Sequence, residues 1–142
     1  MIKKFGTAHW EGSLTGGSGE LSTESGVLDA VTYGFNRRFK GEAGSNPEEL
    51  IGAAHAACFA MALSLNLGEE DLTPTAIDAK STISLEEQPE GGFAITKAHL
   101  DVTATVPGAS DEVFAKCAEA TKSGCPVSKA LSCEITMDAR LA

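Results

Sequence analysis

The apolar positions of this 142-residue chain change period several times along its length, and each change marks an element. The longest apolar run, Leu50–Leu65, lies between helix signals. Asn46 is a good N-cap, Pro47 suits the first helical position, Glu49 follows the cap by three residues, and Gly68 is a C-terminal stop. A helix is predicted over 47–67. It is apolar nearly all the way round, so it is expected to be buried on most sides. After Pro74 the period drops to two, with Ile77, Ala79, Ser81, Ile83 and Leu85 alternating in Thr75–Glu87. Phe93–Val106 does the same through Phe93, Ile95, Leu100 and Val102, and Pro89-Glu90-Gly91-Gly92 joins the two as a long antiparallel hairpin. Ser110–Lys122 reads as a second helix, Pro126–Leu131 as a short third, and Cys133–Leu141 as a last strand.

The first 40 residues read as a strand-rich meander. Lys3–Glu11, Glu20–Glu24 and Val27–Tyr33 are its strands and Gly12–Gly19 a glycine-rich turn. Gly34–Gly41 is aromatic and basic between glycines, and fits either a short strand or an ordered loop. Strands segregated around a buried helix predict an α+β fold. No repeat, linker or low-complexity block divides the chain, so residues 1–142 are expected to form a single domain.

Charge narrows the function classes. With 11 basic and 20 acidic side chains the net charge is -9, a balance that repels phosphate backbones and anionic lipid. Neither nucleic acid nor membrane is an expected partner. The first ten residues lack the apolar core of an export signal, and the apolar run falls short of the roughly 20 residues that span a bilayer. A cytoplasmic location is expected, where the four cysteines (58, 117, 125 and 133) stay mostly reduced and a disulfide is transient.

Two of those cysteines have contexts that fit a reactive thiol. Cys125, followed by Pro126, is the expected N-cap of the third helix, with its sulfur facing unpaired amides that favour a thiolate. Local electrostatics thus names Cys125 the more acidic thiol, although a structural cysteine in a turn fits as well. Cys58 lies among alanines, where it can be a small inert hydrophobe. To act as a nucleophile it needs a cation from outside its own helix, and Arg37 or Arg38 is the natural source. His55 and Cys58 share a helix face and could contribute two metal ligands, but no CxxC or HxxxH completes a set. No metal or other cofactor is expected. His9 and His99 lie in strand-like segments and read as ordinary polar positions, and Cys117 and Cys133 have no reactive context.

Glu49 suits a capping role, which leaves Glu48 without one, apart from favouring the helix dipole. Ten residues separate Glu48 from Cys58, about 15 Å along a helix axis, so they cannot touch within one straight helix. If they share a site, a second copy of the helix must cross antiparallel. Gly52, Ala56 and Ala60, with Ala53 and Ala57 beside them, would let two helices approach closely, or let this one lie on its own sheet. A twofold homodimer bringing Glu48 of one copy near Cys58 of the other is expected.

The segments Asn46–Phe59 and Gly124-Cys125-Pro126-Val127-Ser128 resemble the two signature segments of the OsmC/Ohr family. Trp10-Glu11-Gly12, Ser22–Leu28 and Tyr33-Gly34-Phe35-Asn36 resemble its OsmC branch, the osmotically inducible proteins, and the similarity runs over essentially the whole length. The resemblance implies an intertwined α+β homodimer, with antiparallel sheets wrapped around a long buried central helix and two active sites at the interface. It implies a thiol-dependent peroxidase, active in oxidative and osmotic stress, that reduces organic hydroperoxides and to some extent hydrogen peroxide. Cys58 matches the peroxidatic cysteine, Cys125 the resolving one, Arg38 the family's arginine and Glu48 its glutamate.

On this reading Cys58 attacks the peroxide and becomes a sulfenic acid. Cys125 condenses with it to a disulfide, and an external dithiol, a dihydrolipoyl protein by family resemblance, restores both thiols. Arg38 holds the thiolate and the peroxide, and Glu48 fixes Arg38. An acidic Cys125 then serves as leaving group when the disulfide is reduced. Phe35, Phe39, Phe59 and Met61 are expected around an entrance for alkyl hydroperoxides. The alternative is a non-catalytic redox sensor that uses the same cysteine pair, and a third reading is a metal module built on His55, Cys58 and Cys125.

Overall fold

The computed structural model describes every residue, Met1–Ala142, and divides into two compact units, Met1–Leu50 and Ile51–Ala142. In the first, strands β1 (Gly6–Glu11), β2 (Ser18–Thr23) and β3 (Val31–Tyr33) form an antiparallel meander in the order β1-β2-β3. The expected third strand is shorter than its apolar pattern, because Ala30 takes a left-handed φ of 50° and turns the chain just before Val31. Trp10 and Tyr33 meet across β2 with ring centroids 5.6 Å apart. Gly19 between them is obligatory, since a Cβ there would lie 2.5 Å from the Tyr33 ring and 2.7 Å from the Trp10 ring.

The segment 34–41 is neither strand nor loop but a short helix, α1 (Phe35–Phe39). Phe35 and Phe39 stand four residues apart, one above the other on a helix face, and their rings pack at 4.9 Å. That spacing was the overlooked signal.

Helix α2 (Pro47–Gly68) begins where its signals predict, and Asn46 Oδ1 accepts the Glu49 amide at 2.9 Å. The helix runs to Gly68, but the left-handed residue that turns the chain away is Asp71, at φ 57°. Burial corrects the sequence reading. Only Gly52, His55, Phe59, Leu63 and Leu67 are buried, a single stripe at helical spacing. Met61 and Leu65 are 78% and 66% exposed, and Ala53, Ala54 and Ala57 are also exposed. Gly52 lies against its own sheet, where a Cβ would come within 2.7 Å of the Ser81 carbonyl oxygen. It therefore does not serve a helix–helix seam. Longer than its apolar run alone, α2 has the length and apolar composition to cross a membrane.

In the second unit, β4 (Ala76–Glu87) and β5 (Phe93–Thr105) form the expected antiparallel hairpin, and β6 (Glu134–Leu141) adds to the other side of β5. The β5–β6 pairing is parallel, which departs from the all-antiparallel expectation. The physical reason is the connection. Helices α3 (Asp111–Gly124) and α4 (Pro126–Ala130) occupy it, and such a crossover returns the chain to the end where it began. The core joins Phe59, Leu63 and Leu67 of α2 to Leu100, Val102 and Ala104 of β5 and to Phe114, Cys117 and Ala118 of α3. Each large side chain fully buried there contributes roughly 1.5–3 kcal/mol.

Candidate active site

Within the first unit, α1 presents Arg38 to Glu48 in the first turn of α2. Arg38 Nη2 donates to Glu48 Oε1 at 2.8 Å, and Nε donates to both carboxylate oxygens at 3.2 Å. The Glu48 side chain is 12% exposed and that of Arg38 38%, so the pair is fixed yet the guanidinium remains accessible. The Arg38 guanidinium carbon also lies 5.3 Å from the Phe39 ring centroid. Arg37, the sequence alternative, is engaged elsewhere, its Nε donating to the Ala43 carbonyl at 3.1 Å.

Beside this pair lies an open cavity of about 280 Å3, lined by Trp10, Leu14, Tyr33, Phe35 and Phe39 together with Arg38. Phe35 and Phe39 were expected in such a lining. Phe59 was too, but it is fully buried in the core of the second unit, and Met61 is exposed on α2. The sequence reading missed Trp10, Leu14 and Tyr33. The signal was Gly19, whose missing side chain admits two aromatic rings across one strand.

Within the second unit, Cys125 and the Val127 backbone both act on the acidity of the Cys58 thiol. Both cysteines are free thiols. Cys125 is the N-cap of α4 as expected, with its sulfur accepting the Ser128 amide at 3.3 Å. Burial raises the Cys58 pKa above the ordinary thiol value; the Val127 hydrogen bond opposes that, and Cys125 reinforces it. No cation is among these influences.

His55 is fully buried, and its ring nitrogens are both occupied. Nδ1 lies 2.8 Å from Ser81 Oγ and Nε2 2.9 Å from Ser128 Oγ. Ligating a metal would cost it one of these bonds. Ser128 in turn receives the Cys125 thiol at 3.1 Å. Neither serine was singled out in the sequence, although Cys-x-x-Ser has the spacing of a cap and its third helical residue. His99, read as an ordinary polar position, faces Asp101 and Asp138 at 3.6 and 3.5 Å on the outer side of β5 and β6.

The comparisons with known proteins agree with this architecture. Residues 39–140 match the family model described as OsmC-like protein. Peroxiredoxin OsmC of Escherichia coli K12 is 56% identical over 140 residues, which cover 99% of this chain and 97% of that protein. Organic hydroperoxide resistance protein OhrB of Bacillus subtilis is 33% identical over 81 residues, 56% of this chain and 59% of that one. The crystal structure of OhrB superposes with a TM-score of 0.75 at 26% identity, covering 99% of this chain and 98% of the other. With both signature segments in place and a full-length relative at this identity, the chain belongs to the OsmC/Ohr family.

Proposed function

We propose that this protein is a thiol-dependent peroxidase that reduces organic hydroperoxides, and hydrogen peroxide to a lesser extent, as a homodimer of one 142-residue domain. The observation that carries the reading is the pair Cys58 and Cys125, two free thiols of which the second acts directly on the acidity of the first and is itself capped by the Ser128 amide. The names of its relatives, a peroxiredoxin and an organic hydroperoxide resistance protein, point the same way.

In the reaction, the Cys58 thiolate attacks one peroxide oxygen, the O–O bond breaks, and the alkoxide leaves as alcohol after taking up a proton. Cys58 becomes a sulfenic acid. Cys125 displaces hydroxide from that sulfur to give the Cys58–Cys125 disulfide. An external dithiol, for which a dihydrolipoyl protein is the candidate, reduces it by two thiol–disulfide exchanges.

The raised pKa of Cys58 makes a cation at its sulfur necessary to this reading. A partly desolvated thiol without a cation stays protonated at neutral pH, whereas Arg38 of a second copy would stabilise the thiolate and orient the peroxide. The exposed stripe of α2, Ala54, Ala57, Met61 and Leu65, is the surface on which such a copy would pack. Glu48 holds the guanidinium in one orientation, and the apolar cavity beside Arg38 receives the alkyl group of the hydroperoxide. Cytoplasmic residence, with its reducing thiol pool, belongs to the same reading.

Steady-state peroxide consumption with a panel of dithiols tests the function directly. Turnover with at least one dithiol is expected from the wild type and none from Cys58→Ser. Full activity in Cys58→Ser refutes the assignment, as does consumption of one peroxide per site without turnover whatever dithiol is supplied. Analytical ultracentrifugation showing only monomer at working concentration refutes the dimer.

A further inference from the structure

The buried histidine has no part in the proposed reaction, yet it lies on a continuous hydrogen-bond chain that begins at the Cys125 sulfur. From Cys125 Sγ the chain runs 3.1 Å to Ser128 Oγ, 2.9 Å to His55 Nε2, and from Nδ1 2.8 Å to Ser81 Oγ. We propose that Ser128 and His55 form a proton relay that receives the Cys125 thiol proton as Cys125 attacks the Cys58 sulfenic acid. The inference rests on the peroxidase reading and adds positioning residues to its resolving step.

Donors and acceptors match in both states of the relay. Before attack, Cys125 S–H donates to Ser128 Oγ, Ser128 O–H donates to His55 Nε2, and His55 Nδ1–H donates to Ser81 Oγ. After transfer, the imidazolium donates through Nε2 to Ser128 and through Nδ1 to Ser81, and Ser128 O–H donates to the Cys125 sulfur. Two hydroxyl oxygens at the two ring nitrogens accommodate either state without a heavy-atom shift, because a hydroxyl both donates and accepts. The Ser128 amide, already 3.3 Å from the sulfur, adds a second donor to the thiolate.

The step balances. The Cys125 sulfur supplies an electron pair to the Cys58 sulfur, the S–S bond forms, and the S–O bond of the sulfenic acid breaks. Hydroxide leaves and is neutralised by one proton, equal to the one that His55 holds and then releases. The Cys125 sulfur is oxidised by one electron equivalent and the Cys58 sulfur reduced by one. The net products are a disulfide and water.

The surroundings suit a base that is neutral at rest. Burial lowers the His55 pKa, with no charged group contributing. Cys58 lies three residues along α2, and Cys125 reaches the ring through Ser128. On β4, Ser81 alternates with the exposed Asp78, Lys80 and Thr82, and on α4 Lys129 is exposed while Ser128 is buried. The imidazole is thus neutral at rest, and the relay requires it to hold the proton only until hydroxide leaves.

The test is single-turnover disulfide formation, followed by thiol quenching after one equivalent of peroxide, in wild type, Ser128→Ala and His55→Gln. The same series with diamide, which joins neighbouring thiols without peroxide chemistry, stands apart from the peroxidase reading. Ser128→Ala keeps the backbone donor and nearly the same volume, so it tests the hydroxyl even if His55→Gln fails to fold. The wild-type rate is expected to stay level from pH 8 downward until His55 itself protonates, below 6.5. Each variant should be slower by about 10²-fold at pH 6 and rejoin the wild type at alkaline pH, where a thiol ionises without help. A wild-type rate in Ser128→Ala at every pH overturns the relay, as does a loss of equal size at every pH. If peroxide leaves Cys58 unoxidised, the peroxidase reading fails while the diamide series still decides the relay.

Discussion

The two units handle reactive groups in opposite ways. In the first, the ion pair Arg38–Glu48 and its apolar cavity lie where water can still solvate the guanidinium, with Arg38 38% exposed. In the second, the groups that act on the sulfurs are neutral, the Val127 and Ser128 backbones and the Ser128 hydroxyl, and behind them lies an imidazole whose pKa is lowered by burial. A charge of fixed sign is cheaper to hold near solvent, whereas a thiol that passes through sulfenic acid is protected by dryness. The proposed chemistry needs both, and the proposed dimer would bring the charge of one copy to the sulfur of the other.

Removing the sulfur should have the largest effect. Cys58→Ser is expected to lower peroxide turnover by at least about 10³-fold, to background, because an alcohol cannot reach a comparable oxidation level. Cys125→Ser separates the two sulfurs. Mass spectrometry should find one round of Cys58 oxidation, no internal disulfide, and sulfinic acid accumulating with excess peroxide.

Removing the charge comes next. Arg38→Met should cut kcat/KM for every peroxide by about 10²-fold, the scale of one lost charge-stabilising donor in a dry site. Arg38→Lys should recover little, since an ammonium cannot match the carboxylate of Glu48 with two parallel bonds. The pH profile of iodoacetamide labelling at Cys58 gives a second readout, and the inflection should move up in Arg38→Met. If it does not move, the guanidinium does not act on Cys58.

How far these regions were legible in the sequence follows from how local their signals are. The hairpin of β4 and β5, the N-cap of α2 at Asn46, and the position of Cys125 at the head of α4 depend on neighbours within a few residues, and all appear where expected. The parallel β5–β6 pairing depends on where a crossover ends, which no local pattern encodes. The single buried stripe of α2 was equally hidden, because alanine suits a packed and an open helix face alike. Arg38 and Arg37 are adjacent and chemically identical; only the short helix α1, set by the Phe35–Phe39 spacing, turns one toward Glu48 and the other toward Ala43. The links from His55 to Ser81 and Ser128 join positions 26 and 73 residues away, beyond any periodicity argument.

The cavity of the first unit should act on substrate choice more than on chemistry. Trp10→Ala removes the largest side chain of its lining and should lower kcat/KM for cumene hydroperoxide by about tenfold while leaving hydrogen peroxide nearly unchanged, in line with 1–3 kcal/mol for a lost apolar contact. An equal loss for both substrates would assign Trp10 to folding of the meander rather than to the binding of alkyl groups.

The smallest effect expected belongs to the second unit and concerns stability alone. Burial lowers the pKa of His55 below its ordinary 6.5, so between the folded and unfolded values the unfolded chain binds the extra proton. The contribution of this residue is therefore fully present above about 6.5 and is lost as pH falls through the folded value. Thermal unfolding of the reduced protein should show a midpoint that declines as pH is lowered from 7 to 5, with a shallower decline in His55→Gln. Carboxylates that titrate near pH 4 lie below most of that window, so the difference between the two slopes reports on the histidine. Parallel slopes would mean that the buried ring is protonated in the folded protein as readily as in the unfolded chain, and the contrast between a charged, solvated unit and a neutral, dry one would then fail at its innermost residue.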